Sequence, residues 1–145
     1  MKTAKNLAIV LALWFGVSGA VVVAGGFEST PQGTRYKELQ LGQGTSANYG
    51  DVAVMHFMGW LANDGQRGRE IFNTRNRGKP VSFVVGTDRV MQGWNDGVIG
   101  MRPGGRRLLL VPPARAYGNK AVQGVVPAGA SLMFLIELLE VEKPG

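Results

Sequence analysis

The sequence predicts a single α+β domain in which antiparallel strands pack around one short helix. The chain has 145 residues, of which 45% are apolar, enough for one compact core but not for two. Several segments alternate in hydrophobicity or are rich in β-branched residues, and turn residues separate them, as is typical of antiparallel strands. Only within residues 90–101 do apolar residues recur every three or four positions. Many strands with one helix indicate the α+β class.

The first 24 residues differ in kind from the rest. Lys2 and Lys5 precede a long uncharged apolar run. This pattern is typical of a secretory signal peptide, but the run is also long enough to be an uncleaved membrane anchor. Residues 1–24 are therefore predicted to be a signal peptide or an N-terminal anchor, residues 25–35 a linker and residues 36–145 the folded domain. Either fate predicts an exported domain, periplasmic or extracellular, or one held outside the cytoplasm by the anchor.

The strands of the domain are predicted from alternation and from the turns between them. They are residues 36–41, 51–61, 69–73, 80–85, 106–111 and 131–142. Asn63-Asp64-Gly65 supplies residues that tolerate positive φ, so the second and third strands should form a hairpin. The last strand is the longest, and its even-numbered residues from Leu132 to Leu138 are predicted to face the core.

Residues 90–101 are predicted to contain the helix. The apolar side chains spaced to share one side of it are Met91, Trp94, Val98 and Met101. Gly93, Gly97 and Gly100 each cost such a helix about 1 kcal/mol relative to alanine. We therefore expect packing against the sheet to hold this helix in place.

Two aromatic residues occupy positions where polar residues are usual. Trp94 follows a glycine at the start of the helix, and Tyr117 lies in a loop, residues 112–130, that is rich in glycine, proline and small residues. Exposed aromatic side chains on connections indicate an apolar binding pocket.

Few side chains suit covalent or metal chemistry. The chain has no cysteine and one histidine, so neither a disulfide nor a metal centre nor a cofactor is predicted. His56 has no carboxylate at local spacing and is predicted to be a structural residue of the sheet rather than a general base. Asp88 and Asp96 flank the helix and are predicted to favour its ends, with an acid/base pair as the minor alternative.

The formal net charge is +6, and part of it lies in one basic stretch. The stretch comprises Arg67, Arg69, Arg75, Arg77 and Lys79. No aromatic platform interleaves with these residues, so nucleic-acid binding is not expected and a solvated hairpin and loop are predicted. The alternative is contact with an anionic membrane surface, which requires that the N-terminal segment stay uncleaved.

A series of motifs, in order and at nearly constant spacing from about Tyr36 to Val141, resembles the FKBP-type peptidyl-prolyl cis-trans isomerases. The motifs are Val54-Met55-His56-Phe57-Met58-Gly59, Ile71-Phe72-Asn73, Lys79-Pro80-Val81-Ser82-Phe83, Val90-Met91-Gln92-Gly93-Trp94, Ala116-Tyr117-Gly118, Val125-Val126-Pro127 and Leu132-Met133-Phe134. The resemblance implies a five- or six-stranded antiparallel half-barrel wrapped around the short helix, with a prolyl pocket between them.

The resemblance also implies roles for individual residues. Trp94 would form the pocket floor under the proline ring, the Tyr117 hydroxyl would meet one substrate carbonyl, and the Met91 N–H would hold the other. The implied walls are Phe57, Phe72, Val81, Val90, Met91 and Phe134, and the implied overhanging loop contains Val122, Val125 and Val126.

Three positions depart from the pattern of this family. The family usually has tyrosine at Phe57, aspartate at Asn73 and often histidine at Val122. Each departure removes a polar group from the rim of the implied pocket. Asn73 matters most, because a neutral amide replaces a charged acceptor at a site associated with activity and with macrolide binding.

The predicted function is acceleration of X-Pro cis/trans isomerisation in exported protein chains, by a monomer that needs no cofactor. Proline-containing polypeptides are the expected substrates and macrolides the expected inhibitors. The alternative is a proline-peptide-binding or chaperone module of the same fold with little turnover, which the residues at positions 57 and 73 leave open. A membrane-surface protein using the basic stretch is a third possibility.

Overall fold

A computed structural model describes residues 10–11, 22–23 and 26–144. Two short strands, β1 (Val10–Leu11) and β2 (Val22–Val23), form an antiparallel pair within the first 24 residues. The predicted signal peptide or anchor otherwise lies outside the described residues. Within the part of the chain that is described, no helix is long and apolar enough to cross a membrane.

The remaining strands form one antiparallel sheet. They are β3 (Glu28–Ser29), β4 (Arg35–Gln40), β5 (Val52–Asn63), β6 (Gln66–Asn73), β7 (Val81–Val84), β8 (Arg106–Val111) and β9 (Ser131–Glu142). Their order is β3-β4-β8-β9-β5-β6, and β7 also pairs with β5. Among the described residues there is one α-helix, α1 (Gln92–Val98), which lies between β7 and β8 in the chain. The predicted antiparallel sheet around one short helix is confirmed.

Strand β5 is long enough to pair with two strands along one edge. Its first residues pair with β7 and its last residues with β6, while β9 runs along the other edge. Asp64 and Gly65, with φ of 51° and 78°, make the tight turn into β6 as predicted. Pairing resumes at once, Asn63 with Gln66, so β6 begins three residues earlier than the predicted Arg69.

Strand β9 presents apolar residues to both faces of the sheet. Leu132, Phe134, Ile136 and Leu138 are fully buried and face the main core, as their alternation predicts. On the opposite face Met133 packs with Trp60 and Leu110 in a second, smaller apolar cluster. The main core lies between the sheet and α1 and supports the aromatic residues described below.

Helix α1 lies very close to β8 because it has glycines where the two elements meet. A Cβ on Gly93 would lie 2.4 Å from a methyl carbon of Val111, and one on Gly97 would lie 2.4 Å from a methyl carbon of Leu109. The helix C-terminus is capped by buried Arg107, whose guanidinium donates to the carbonyl oxygens of Gly97 and Ile99 at 2.8 and 2.9 Å. The glycines that weaken the helix therefore allow the packing that holds it.

Part of the predicted linker, residues 25–35, packs onto the domain. Glu28 and Ser29 add a short edge strand beside β4. Thr34 is fully buried and its hydroxyl donates to the Asp96 carboxylate on α1 at 2.7 Å. The sequence gives no hint of this contact, because the two residues are 62 positions apart.

Candidate active site

The centre of the candidate site is the indole of Trp94, which α1 presents above the main core. The rings of Phe57, Phe83 and Phe134 surround it, with centroid distances of 4.6, 5.8 and 5.8 Å. The Phe57 and Phe134 rings meet the indole edge-on, a favourable arrangement of aromatic quadrupoles. Trp94 is only partly buried, whereas Phe134 is fully buried. The exposed part of the Trp94 indole is therefore supported by buried aromatic rings, which fix its position.

The indole N–H of Trp94 is buried and has no hydrogen-bond partner among the described residues. A buried donor of this kind costs free energy unless a bound group satisfies it. The Trp94 N–H is therefore an unpaired hydrogen-bond donor beneath the apolar surface of the site.

Phe83 belongs to this cluster, although sequence reasoning assigned it no place in the site. Val81 and Phe83 alternate along β7, so both side chains point to the same face of the sheet. The signal was present in the sequence as this two-residue period. Phe72, at the end of β6, completes the cluster with its ring 6.2 Å from that of Phe57.

Tyr117 lies in the loop between β8 and β9, directly after a short 3-10 turn, Pro113–Arg115. The turn and the backbone bond from the Gly118 N–H to the Pro113 carbonyl, 2.8 Å, bend the chain at this point. Burial raises the pKa of the Tyr117 phenol above its ordinary value, so the hydroxyl stays protonated and can donate. Burial is the one cause of this shift, and no hydrogen bond to a described residue contributes to it.

The three valines of the predicted overhanging loop do not share one environment. Val122 and Val126 form an isolated antiparallel bridge that closes the loop on itself. Val126 is 2% exposed and part of the core, whereas Val122 and Val125 pack against the core with one side exposed. Arg69 on β6 donates to the Val125 carbonyl at 3.1 Å and so ties this loop to the sheet.

A buried asparagine fixes the connection that carries Val90 and Met91. The Asn95 side chain accepts from the Gly86 N–H at 2.8 Å and donates to the Thr87 carbonyl at 2.7 Å. Val90 and Met91 follow this anchored segment, pack against the core and remain partly exposed. The Met91 N–H makes no hydrogen bond to any described residue, so it is available to a ligand.

The comparisons with known proteins agree with this geometry. A family model described as FKBP-type peptidyl-prolyl cis-trans isomerase matches residues 43–139, more than half of the chain. The chain belongs to the FKBP-type peptidyl-prolyl cis-trans isomerase family. The family predicted from the sequence is therefore confirmed.

The relatives described next are 33–37% identical to this chain over the aligned residues. FK506-binding protein 1A from Neurospora crassa is 37% identical over 111 residues, which cover 76% of this chain and 89% of that protein. FK506-binding protein 4 from Aspergillus fumigatus is 37% identical over 111 residues, 77% of this chain but 22% of that protein. The crystal structure of FkpA from Escherichia coli has a TM-score of 0.70 and 33% identity, covering 83% of this chain and 53% of that one. The chain thus spans well under two thirds of the length of some relatives.

Two departures from the FKBP pattern have visible structural consequences. Phe57 presents a hydrocarbon edge to Trp94 where the family usually has a phenol. The Asn73 side chain accepts from the Arg75 N–H at 3.0 Å and so caps the 3-10 turn Thr74–Arg77. Asn73 therefore serves local backbone structure, and the aromatic site lacks a charged acceptor at this position.

The prediction that Asp96 favours a helix end is wrong, whereas Asp88 lies in a turn before α1. No side chain caps α1 at its N-terminus, where Met91 is the N-cap residue. Asp96 lies inside the helix, is 7% exposed, and forms an ion pair with Arg115. Sequence reasoning missed this pair because it joins the helix to a distant loop.

His56 and the basic stretch lie outside the aromatic cluster. His56 shares a hydrogen bond of 2.8 Å with the Thr74 hydroxyl, which also accepts from the Phe57 N–H, so its contact is structural. In the basic stretch, Arg67 stacks on Trp60 and Arg75 pairs with Glu137. These arginines have partners within the domain, as a solvated hairpin and loop would.

Proposed function

We propose that this chain accelerates the cis/trans rotation of X-Pro bonds in exported protein chains, at the aromatic site around Trp94. The observation that carries the proposal is the partly exposed indole enclosed by three phenylalanine rings, together with Tyr117 and Met91, which pack against the same core and offer free donors. The family supports the reaction class. The N-terminal pattern of Lys2, Lys5 and an apolar run supports export.

The chemistry requires no proton transfer from the protein. A peptide bond resists rotation by about 18–20 kcal/mol because resonance keeps it planar, so X-Pro bonds exchange over tens to hundreds of seconds. Twisting the bond reduces that resonance and the polarity that goes with it. An apolar site that excludes water therefore stabilises the twisted state relative to the planar one.

The predicted site residues other than Asn73 then have specific roles. Trp94 supports the proline ring from below, Phe57 and Phe72 enclose it, and fully buried Phe134 supports the indole from the core side. The Tyr117 hydroxyl and the Met91 N–H donate to the two carbonyls that flank the rotating bond, which fixes the chain on either side of it. The remaining apolar contacts are Val81, Val90, Val122 and Val125, and Val126, which is 2% exposed, packs behind them in the core. Because these contacts are apolar, we expect a preference for an apolar residue before the proline.

The proposal is tested by measuring exchange of a short proline peptide with NMR at high enzyme concentration. We expect acceleration by the wild-type chain, a large loss with Trp94→Ala, and little change with the control Arg75→Ala, whose side chain pairs with Glu137 outside the aromatic cluster. No acceleration by the wild-type chain would refute the proposal. Equal losses with the two variants would place the site elsewhere.

A binding module of the same fold is the second candidate. It is favoured by the apolar ring of Phe57 and by Asn73, whose side chain caps a turn and offers no charged acceptor. Asn73→Asp discriminates between the two, because aspartate caps a turn about as well as asparagine and so adds a charged acceptor without changing the fold. A gain in turnover supports the enzyme. Tight peptide binding with negligible turnover in both proteins supports the module. We also expect proline-containing chains and FK506-type macrolides as ligands, and a monomer in solution.

A further inference from the structure

The ion pair between Asp96 and Arg115 joins the two elements that carry the central groups of the site. Asp96 lies two residues after Trp94 on α1, and Arg115 lies two residues before Tyr117 in the loop. The guanidinium donates twice to the carboxylate, from Nε at 2.9 Å and from Nη2 at 2.8 Å. A two-bond contact of this kind fixes orientation as well as distance.

The carboxylate that receives these bonds cannot move to follow the loop. Asp96 is 7% exposed, and the Thr34 hydroxyl also donates to its Oδ2 atom, at 2.7 Å. The helix that carries it is itself fixed, by close packing on β8 and by the guanidinium of Arg107 at its C-terminus. The Asp96 carboxylate is therefore a rigid reference point for whatever binds it.

The loop packs on the core through Val126 and its neighbours, but its hydrogen bonds lie mainly within itself. Backbone hydrogen bonds join Gly118 to Pro113, Lys120 to Tyr117 and Gly129 to Gly118. Among the described residues, two side-chain contacts with hydrogen bonds tie residues 112–130 to the rest of the domain: the exposed one from Arg69 to Val125 and the part-buried, two-bond one from Arg115 to Asp96. Only the second lies next to Tyr117.

We propose that Asp96 and Arg115 form a positioning pair that holds the Tyr117 hydroxyl at a fixed place relative to Trp94. This inference rests on the proposed function, because it concerns how the donor and the floor of the same site are aligned. Neither Asp96 nor Arg115 touches the substrate. Their effect on turnover passes through Tyr117, since a displacement of a reacting group by about 1 Å can cost a hundredfold in rate.

A double-mutant cycle separates this role from a merely structural one. If Arg115 acts through Tyr117, Arg115→Met should lower kcat/KM about tenfold in the wild-type background and less than about twofold when Tyr117 is already phenylalanine. A pair that only stabilises the fold would give the same factor in both backgrounds. Arg115→Lys keeps the charge but cannot make both hydrogen bonds, so in the wild-type background we expect a loss of kcat/KM between about twofold and tenfold.

The matched control is Lys143→Met. Lys143 pairs with buried Asp51, which is 3% exposed, so this substitution also removes a cation from a buried carboxylate, but not between Trp94 and Tyr117. We expect reduced stability with unchanged kcat/KM. If Arg115→Met does not fold, as urea unfolding would show, the same cycle is run with Arg115→Lys. Equal factors in the two Tyr117 backgrounds would overturn the inference while leaving the proposed function intact, whereas an inactive wild-type chain would overturn the proposed function.

Discussion

Replacing Gly93 by alanine tests directly whether the close approach of α1 to β8 sets the position of Trp94. The new Cβ would lie 2.4 and 2.8 Å from the two methyl carbons of Val111. Carbon atoms need about 3.5 Å or more, so one element must move by roughly 1 Å. Val111 is 1% exposed and β-branched, so its side chain cannot turn aside.

Two opposing terms set the size of the effect. Alanine in place of glycine favours a helix by about 1 kcal/mol, whereas overpacking a buried contact costs about 1–3 kcal/mol. The overlap is severe, so the cost should lie near the upper end of its range. We expect Gly93→Ala to lower the free energy of unfolding by about 1–2 kcal/mol and, by displacing the adjacent Trp94, to reduce kcat/KM more than tenfold.

Urea unfolding and NMR exchange of a proline peptide measure the two effects. Val111→Ala should cost about 2 kcal/mol by itself, but the double variant should be more stable than the sum by at least about 1 kcal/mol, because the new methyl group occupies the vacated space. Gly26→Ala is the control, since a Cβ there meets nothing within 4 Å. A Gly93→Ala protein as stable and as active as wild type would refute the reasoning.

Three further outcomes follow from particular contacts. Tyr117→Phe should lower kcat/KM by at least about tenfold with unchanged urea stability, because no hydrogen bond to a described residue contributes to the environment of its hydroxyl; a clear loss of stability would contradict this. Arg69→Met should raise KM for proline peptides about threefold, because the Val125 carbonyl loses the hydrogen bond that joins its loop to β6. An unchanged KM would show that this hydrogen bond does not affect substrate binding. The hydrogen bond from Lys143 lowers the pKa of Asp51, so the pair should stabilise the domain above about pH 4 and lose this effect as the pH falls through the lowered value; Asp51→Asn should flatten that part of the stability profile, measured by urea unfolding from pH 7 to 2.

The strands and the helix could be predicted because their signals are local. The bounds of β9 follow from alternation, those of β8 from the turn residues that precede it, and the turn at Asp64 and Gly65 from the residues that tolerate positive φ. Strand β6 begins earlier than predicted because Gln66 to Gly68 have no apolar period, and only the tight turn pairs them with β5. Local sequence patterns therefore predict the bounds of a strand or helix well where one of its faces is buried.

The contacts that align the site could not be predicted in the same way. Asp96 seemed suited to a helix end because its partners, Thr34 and Arg115, are 62 and 19 residues away. Likewise Asn95, a weak helix former, seemed unremarkable until its bonds to the segment at Gly86 were visible. Polar side chains buried by tertiary structure have no period in the sequence, so their partners emerge only from the fold.

The departures at positions 57 and 73 bear on how the site would select its substrate. The centre of the apolar Phe57 ring lies 4.6 Å from the centre of the Trp94 ring, and the Asn73 side chain accepts a hydrogen bond within the turn that follows it. The donors left for a ligand, at Tyr117 and Met91, can bind backbone carbonyls, which every peptide has. Recognition of side chains should then rest on apolar contact, so affinity should increase with the apolar area before the proline, by about 25 cal/mol per Å² that becomes buried. A peptide series with alanine, valine, leucine and phenylalanine before proline measures this slope, and a preference for a charged residue there would show that some polar group of the rim still contributes.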